Sequence, residues 1–135
     1  MVLLDHIGIR VTDMERAIRF YSEMFGFDVV QRFTRPDPEG RMIDTAALKV
    51  NDFSGIFLTM QPGLEPHAAE ERPEHICLTF DPAEFKTVVE RLTKAEAFGR
   101  LPSKLMPRSG MTGRSPSIDI LDPDNNRIEV KTLGS

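Results

Sequence analysis

Two stretches of this chain repeat one another. Near the start it reads Asp5-His6-Ile7-Gly8-Ile9-Arg10-Val11, and 69 residues later (75 − 6) it reads Glu74-His75-Ile76-Cys77-Leu78-Thr79-Phe80. In both, an acid precedes a histidine, and apolar positions then alternate with small or polar ones. A period of two marks a strand with one greasy face and one polar face. Each histidine lies on the polar face. A chain that restarts its own first strand is built from two copies of one unit, and the two histidines are equivalent positions in them.

The segments C-terminal to the two strands support the duplication. Thr12-Asp13-Met14-Glu15 reads as a capping box with Thr12 as N-cap. Met14, Ala17, Ile18, Tyr21 and Phe25 then fall on one helical face, and Gly26 is a left-handed stop. Strands are expected over 27–33, 42–50 and 55–61, with turns at 36–40 and 51–52. In the second copy Asp81-Pro82-Ala83-Glu84 is again a capping box with proline at the first helical position. Phe85, Val88, Val89 and Leu92 supply its buried stripe, and the helix should end before Gly99. Strands are expected over 100–107, 117–121 and 127–132, with a loop at 109–114. In the tight turn 122–126, Asn126 is expected at positive φ. The fold class is therefore α+β, two tandem β-α-β-β-β modules at about 1–61 and 73–135. Residues 62–72 link them within a single domain, and His67 in that link is expected to face solvent.

Two copies of about sixty residues would each be marginal alone, whereas 135 residues suffice for a modest core. The 17 basic residues are dispersed and the net charge is −4, so no basic stripe argues for nucleic acid or an anionic membrane. No apolar run approaches the roughly 20 residues of a membrane helix, and the N-terminus does not read as a signal sequence. The lone Cys77 has no partner for an internal disulfide, which fits a reducing compartment. A soluble, cytoplasmic protein is expected.

The helices should cover the faces carrying Ile7 and Ile9; Ile56, Leu58 and Met60; Ile76 and Leu78; Ile118 and Ile120; Ile128 and Val130. The opposite faces carry His6; Phe57, Thr59 and Gln61; His75, Cys77 and Thr79; Ser117 and Asp119; Arg127, Glu129 and Lys131. Two imidazoles and a carboxylate at the centres of three separate strands suit a divalent transition metal, with coordination positions left for substrate or water. The same pattern also describes two ordinary histidines and an exposed glutamate.

The chain resembles the vicinal oxygen chelate superfamily, which includes glyoxalase I and the fosfomycin-resistance, bleomycin-resistance and extradiol dioxygenase proteins. The marks are residues 5–9, the segment from Asp13 to Tyr21 ending at Gly26-Phe27, the second His75, and Leu121-Asp122-Pro123-Asp124-Asn125-Asn126-Arg127-Ile128-Glu129. The resemblance implies a cupped mixed sheet with helices on its outer face, and one divalent metal per site held by His6, His75 and Glu129. The metal would be Mn, Fe, Ni, Co or Zn. Glyoxalase I has a glutamate where this chain has Phe57, so the three-ligand set is similar to that of fosfomycin-resistance proteins and extradiol dioxygenases.

The implied chemistry is chelation of two neighbouring oxygens of a small substrate and stabilisation of a developing oxyanion. Thr59, Gln61, Ser117 and Lys131 are candidate polar contacts, Arg108 and Arg114 candidate partners of an anionic substrate, and Phe57 an apolar wall. The expected function is a metal-dependent isomerase, lyase or epoxide-opening transferase. The alternative is a non-catalytic drug-binding protein of the bleomycin-resistance type. Members of this size commonly pair, so a homodimer is expected.

Overall fold

The computed structural model describes residues 1–69, 72–95 and 104–133. Contacts divide the chain into two compact units, Met1–His67 and Ala68–Ser135. The first contains β1 (His6–Arg10), α1 (Met14–Phe25), β2 (Asp28–Pro36), β3 (Met42–Lys49) and β4 (Gly55–Met60). The second contains β5 (Ile76–Phe80), α2 (Pro82–Lys94), β6 (Met106–Arg108), β7 (Ser115–Leu121) and β8 (Arg127–Thr132).

Each unit forms a four-stranded mixed sheet, ordered β1-β4-β3-β2 in the first and β5-β8-β7-β6 in the second. The opening strand runs parallel to the closing one in both, and the remaining pairs are antiparallel. The duplication seen in the sequence is thus a duplication of topology. In both copies the helix is the crossover that returns the chain to the far side of the sheet. The fold is α+β with tandem modules, as expected.

α1 is capped by Asp13, not Thr12: the Asp13 carboxylate accepts the Arg16 N–H at 3.0 Å. Aspartate is the stronger cap of the two adjacent candidates. Glu15 then falls one position short of a capping box and instead meets Arg32 at 2.6 Å. Gly26 ends the helix at φ 74°, its N–H donated to the Ser22 carbonyl. A left-handed residue without a Cβ closes the helix at little cost. α2 starts as its sequence reads, with Asp81 accepting from the Glu84 N–H at 2.9 Å and Pro82 in the first turn. It ends at Lys94, and Gly99 lies outside the described residues.

Buried side chains from α1 (Met14, Ala17, Tyr21, Met24, Phe25) meet Ile56 and Leu58 of β4, and α2 contributes Val88 and Leu92 against β5 and β8. Ile76, Leu78, Ile118, Ile120, Ile128 and Val130 complete the second core. Burying each such side chain contributes about 1.5–3 kcal/mol. Ile18, Phe85 and Val89, expected in the stripes, are only half-buried, while Met24 was not expected there. β4 opens at Gly55, where an added Cβ would come within 2.6 Å of the Leu48 carbonyl oxygen. Only glycine lets β3 and β4 close that near.

Three local expectations change. β7 begins two residues early, at Ser115, and pairs with a β6 of only three residues; 100–103 of the expected strand lie outside the described residues. In the turn before β8, positive φ falls on Asn125 (65°) rather than Asn126. Asn126 is held otherwise, its backbone and side-chain N–H groups both donated to Asp122. His67 is half-buried rather than exposed.

Candidate metal centre

In the first unit, His6 opens β1 and is clamped on two sides. Its Nδ1 lies 2.6 Å from the Asp5 carboxylate, and its ring stacks on Phe57 with centroids 3.8 Å apart and planes 10° apart. β1 and β4 are in register as Gly8 opposite Phe57, which makes His6 and Phe57 diagonal neighbours. Phe33 closes the other side of Phe57 edge-on at 6.2 Å. The ring plane is fixed by Phe57 and the tautomer by Asp5, which leaves Nε2 as the nitrogen able to coordinate. Thr59 and Gln61 are half-buried, and Gln61 lies just beyond the end of β4.

In the second unit, the register sets Cys77 of β5 and Asp119 of β7 opposite Glu129 of β8. His75 and Ser117 are then its diagonal neighbours on either side. Both reach it: His75 Nε2 is 3.2 Å from Glu129 Oε2, and the Ser117 hydroxyl donates to Oε1 at 2.7 Å. His75 Nδ1 is 2.7 Å from the Pro73 carbonyl oxygen, which can only accept. That nitrogen therefore carries the hydrogen, and the Nε2 lone pair of a neutral ring points at a carboxylate oxygen. Two acceptors at hydrogen-bond distance repel unless a proton or a cation lies between them.

Each histidine is oriented as a ligand of a divalent transition metal would be, but among the described residues no group of three or more His, Cys, Asp or Glu side chains is gathered that could hold one. Ligating histidines characteristically give their other ring N–H to a carboxylate or a backbone carbonyl, and His6 and His75 do one each. Borderline nitrogen donors with one carboxylate suit such ions.

The polar face of β7 and β8 is not solvated, as a simple alternation would have it. Ser117, Asp119, Glu129 and Lys131 are all buried. Asp119 holds Arg108 at 2.7 Å and Arg127 at 2.7 Å, and Arg127 also donates to the Arg72 carbonyl. Arg72 in turn donates to the Asn125 carbonyl at 2.7 Å. This chain of contacts anchors the approach to Pro73 and so to His75. Lys131, 1% exposed, gives its ammonium to the Arg108 carbonyl at 2.6 Å and the Ser115 hydroxyl at 2.5 Å.

Of the residues singled out as substrate contacts, Ser117 and Lys131 are thus committed inside the protein. Arg108 keeps part of its guanidinium in solvent (27% exposed) beside Asp119, and Arg114 is exposed in its loop. Cys77 is exposed on the same face, where burial of its thiol and then the Glu129 charge push it up to about 11.

Sequence reasoning gave no role to Asp5, Pro73 or the Ser115–Lys131 contact. The acid before each histidine was the one visible sign, and only Asp5 uses it.

The family model described as Glyoxalase/Bleomycin resistance protein/Dioxygenase superfamily matches residues 3–130. The virulence protein STM3117 of Salmonella typhimurium is 30% identical over 128 residues, 94% of this chain and 81% of that protein. Its crystal structure superposes with a TM-score of 0.64 over 99% of this chain and 98% of that one. The fosfomycin resistance protein FosX of Mesorhizobium loti has a TM-score of 0.65 at 24% identity, over 98% of this chain and 91% of that one. Glyoxalase I of Leishmania major has 0.67 at 21% identity, over 98% and 87%. The duplicated topology, the oriented histidines and the match along nearly the whole sequence agree: the chain belongs to the glyoxalase/bleomycin resistance protein/dioxygenase superfamily, the vicinal oxygen chelate proteins.

Proposed function

We propose that this protein is a metal-dependent enzyme acting on a small oxygenated, anionic substrate, with His6 in the first unit and His75 and Glu129 in the second as its candidate ligands of a divalent ion. The observation that carries the reading is the His75–Glu129 pair, an imidazole Nε2 and a carboxylate oxygen facing each other at 3.2 Å with Nδ1 already engaged. When bound, the ion would supply Lewis acidity toward two neighbouring substrate oxygens. The remaining work falls to this chain's own residues. Phe57 offers an apolar wall beside His6 where glyoxalase I has a glutamate, so no carboxylate from β4 is available to move a substrate proton. That favours lyase chemistry, or nucleophilic opening of a strained ring, over glyoxalase I isomerisation. Arg108, held by Asp119 and partly in solvent, would receive an anionic group of the substrate.

No helix among the described residues is long and apolar enough to cross a membrane. We take the protein to be cytosolic, in keeping with the unpaired Cys77, and to work as a homodimer. Light scattering at micromolar concentration should give twice the chain mass, and a monomer would remove the dimer from the reading.

The test is elemental analysis of protein purified without chelators or metal-affinity resin. One transition-metal ion per chain is expected, lost in His6→Ala and Glu129→Ala. The loaded protein would then be offered hemithioacetal, epoxide and catechol substrates. Absence of any bound transition metal at neutral pH would reject the enzyme reading and favour a non-catalytic binder.

A further inference from the structure

We propose that Lys131 is a positioning residue for Arg108: its buried ammonium ties down the mouth of the loop 109–114 and so fixes the guanidinium that receives an anionic group of the substrate. The proposal rests on that reading of Arg108 and assigns Lys131 a role other than substrate contact.

Strand alternation alone would leave Lys131 in solvent, yet it is 1% exposed. Taking an ammonium out of water is costly unless its hydrogens are received. Three neutral oxygens receive them: the Arg108 carbonyl at 2.6 Å, the Ser115 hydroxyl at 2.5 Å and the Ser115 carbonyl at 3.3 Å. The Ser115 hydroxyl gives its own hydrogen to the Thr132 carbonyl at 2.6 Å, which leaves a lone pair for the ammonium. Arg108 and Ser115 are the last opposed pair of β6 and β7 before the loop. Lys131 therefore joins the two sides of the loop at its mouth, from a third strand.

The loop closes on itself beyond that point, where Gly110 and Gly113 exchange both backbone hydrogen bonds at 3.1 Å each. The lysine stem lies against Gly110: an added Cβ would come within 2.9 Å of Lys131 Cε. Glycine is needed there for space and not for backbone conformation, since positive φ falls on Gly113 and not on Gly110. The stem cannot swing aside without the ammonium giving up its acceptors. Arg108 is thus held at both ends, its carbonyl by Lys131 and its guanidinium by Asp119 at 2.7 Å, with 27% of the side chain left to solvent. A methionine would fill the space of the stem but leave the Arg108 carbonyl and the Ser115 hydroxyl without their donor.

The test uses the full chain as wild type, Lys131→Met and Gly110→Ala. Amide hydrogen exchange by NMR reads the loop, and a titration with inorganic phosphate, followed at the Arg108 side-chain signal, reads the anion site. In both variants the Gly110 and Gly113 amides should exchange about 10-fold or more faster, because local opening becomes easier, while Ile118 and Ile128 keep their protection. Phosphate should bind both variants several-fold more weakly. Gly110→Ala keeps the ammonium and carries the test if Lys131→Met does not fold. Unchanged exchange at the two glycines overturns the proposal, as does acceleration shared equally by Ile118 and Ile128, or wild-type phosphate affinity in the variants. Failure of the wild type to bind phosphate at Arg108 would instead overturn the anion-receiving reading of Arg108, and this proposal with it.

Discussion

Asp119 and Glu129 stand directly opposite one another on β7 and β8, yet they face different partners. Like charges in opposed register repel. The conflict is relieved because Arg108 and Arg127 both take Asp119 Oδ2, at 2.7 Å each, while Glu129 goes to Ser117 and His75. Which carboxylate is left to face His75 is settled by where the arginines are.

Asp119→Ala should therefore destabilise the fold severely. It leaves the guanidiniums of Arg127 and Arg108, 12% and 27% exposed, without their shared carboxylate. Removing one partner of a buried ionic cluster costs about 3–5 kcal/mol. Urea unfolding of the variant against wild type measures it. A loss below about 1 kcal/mol would show that solvent already screens the cluster.

His75→Ala and Glu129→Ala should each weaken binding of a divalent transition metal by more than about 100-fold, beyond the usual cost of losing an outer partner. Both should keep the wild-type circular dichroism. Isothermal titration with Co²⁺ or Zn²⁺ gives the answer, and undiminished affinity in either variant would exclude that side chain as a ligand.

Asp5→Asn tests orientation rather than ligation. The amide can still sit beside His6 Nδ1 but no longer favours the ring as a charged acceptor does. Metal affinity should fall by about 10-fold, near the lower end of outer-partner losses. Because Asp5 is 86% exposed, stability should hardly change. An unchanged affinity would mean that Phe57 stacking alone fixes the ring.

Cys77 should be a poor nucleophile at neutral pH in the metal-free protein. Burial and then the Glu129 carboxylate disfavour the thiolate and raise its titration to about 11, so the protonated thiol dominates below that pH. Alkylation by iodoacetamide should be slow at pH 7 and accelerate as the pH approaches 11. Glu129→Gln removes the neighbouring charge, so its alkylation curve should move to lower pH. A curve that stays put would assign the effect to burial alone.

Repetition in the sequence was enough to establish the architecture. The two Asp/Glu-His strands, the helices beginning near Asp13 and at Asp81, and the stop at Gly26 are local features. Short-range sterics and capping decide them, so they were legible one segment at a time. The N-cap slipped by one residue because Asp13, next to Thr12, is the stronger cap. The positive φ moved from Asn126 to Asn125 because Asp122 claims the Asn126 amide.

Alternation placed His75, Ser117, Asp119, Glu129 and Lys131 on polar faces, but it could not say which of them remain available. Register between strands decided that: it set Asp119 against the arginines, Lys131 against Ser115, and Ser117 and His75 against the two oxygens of Glu129. By itself the sequence determined the paired modules and the residue types that suit a metal. Tertiary structure alone decided the hydrogen-bond partner of each polar group, because buried donors and acceptors are matched across strands far apart along the chain.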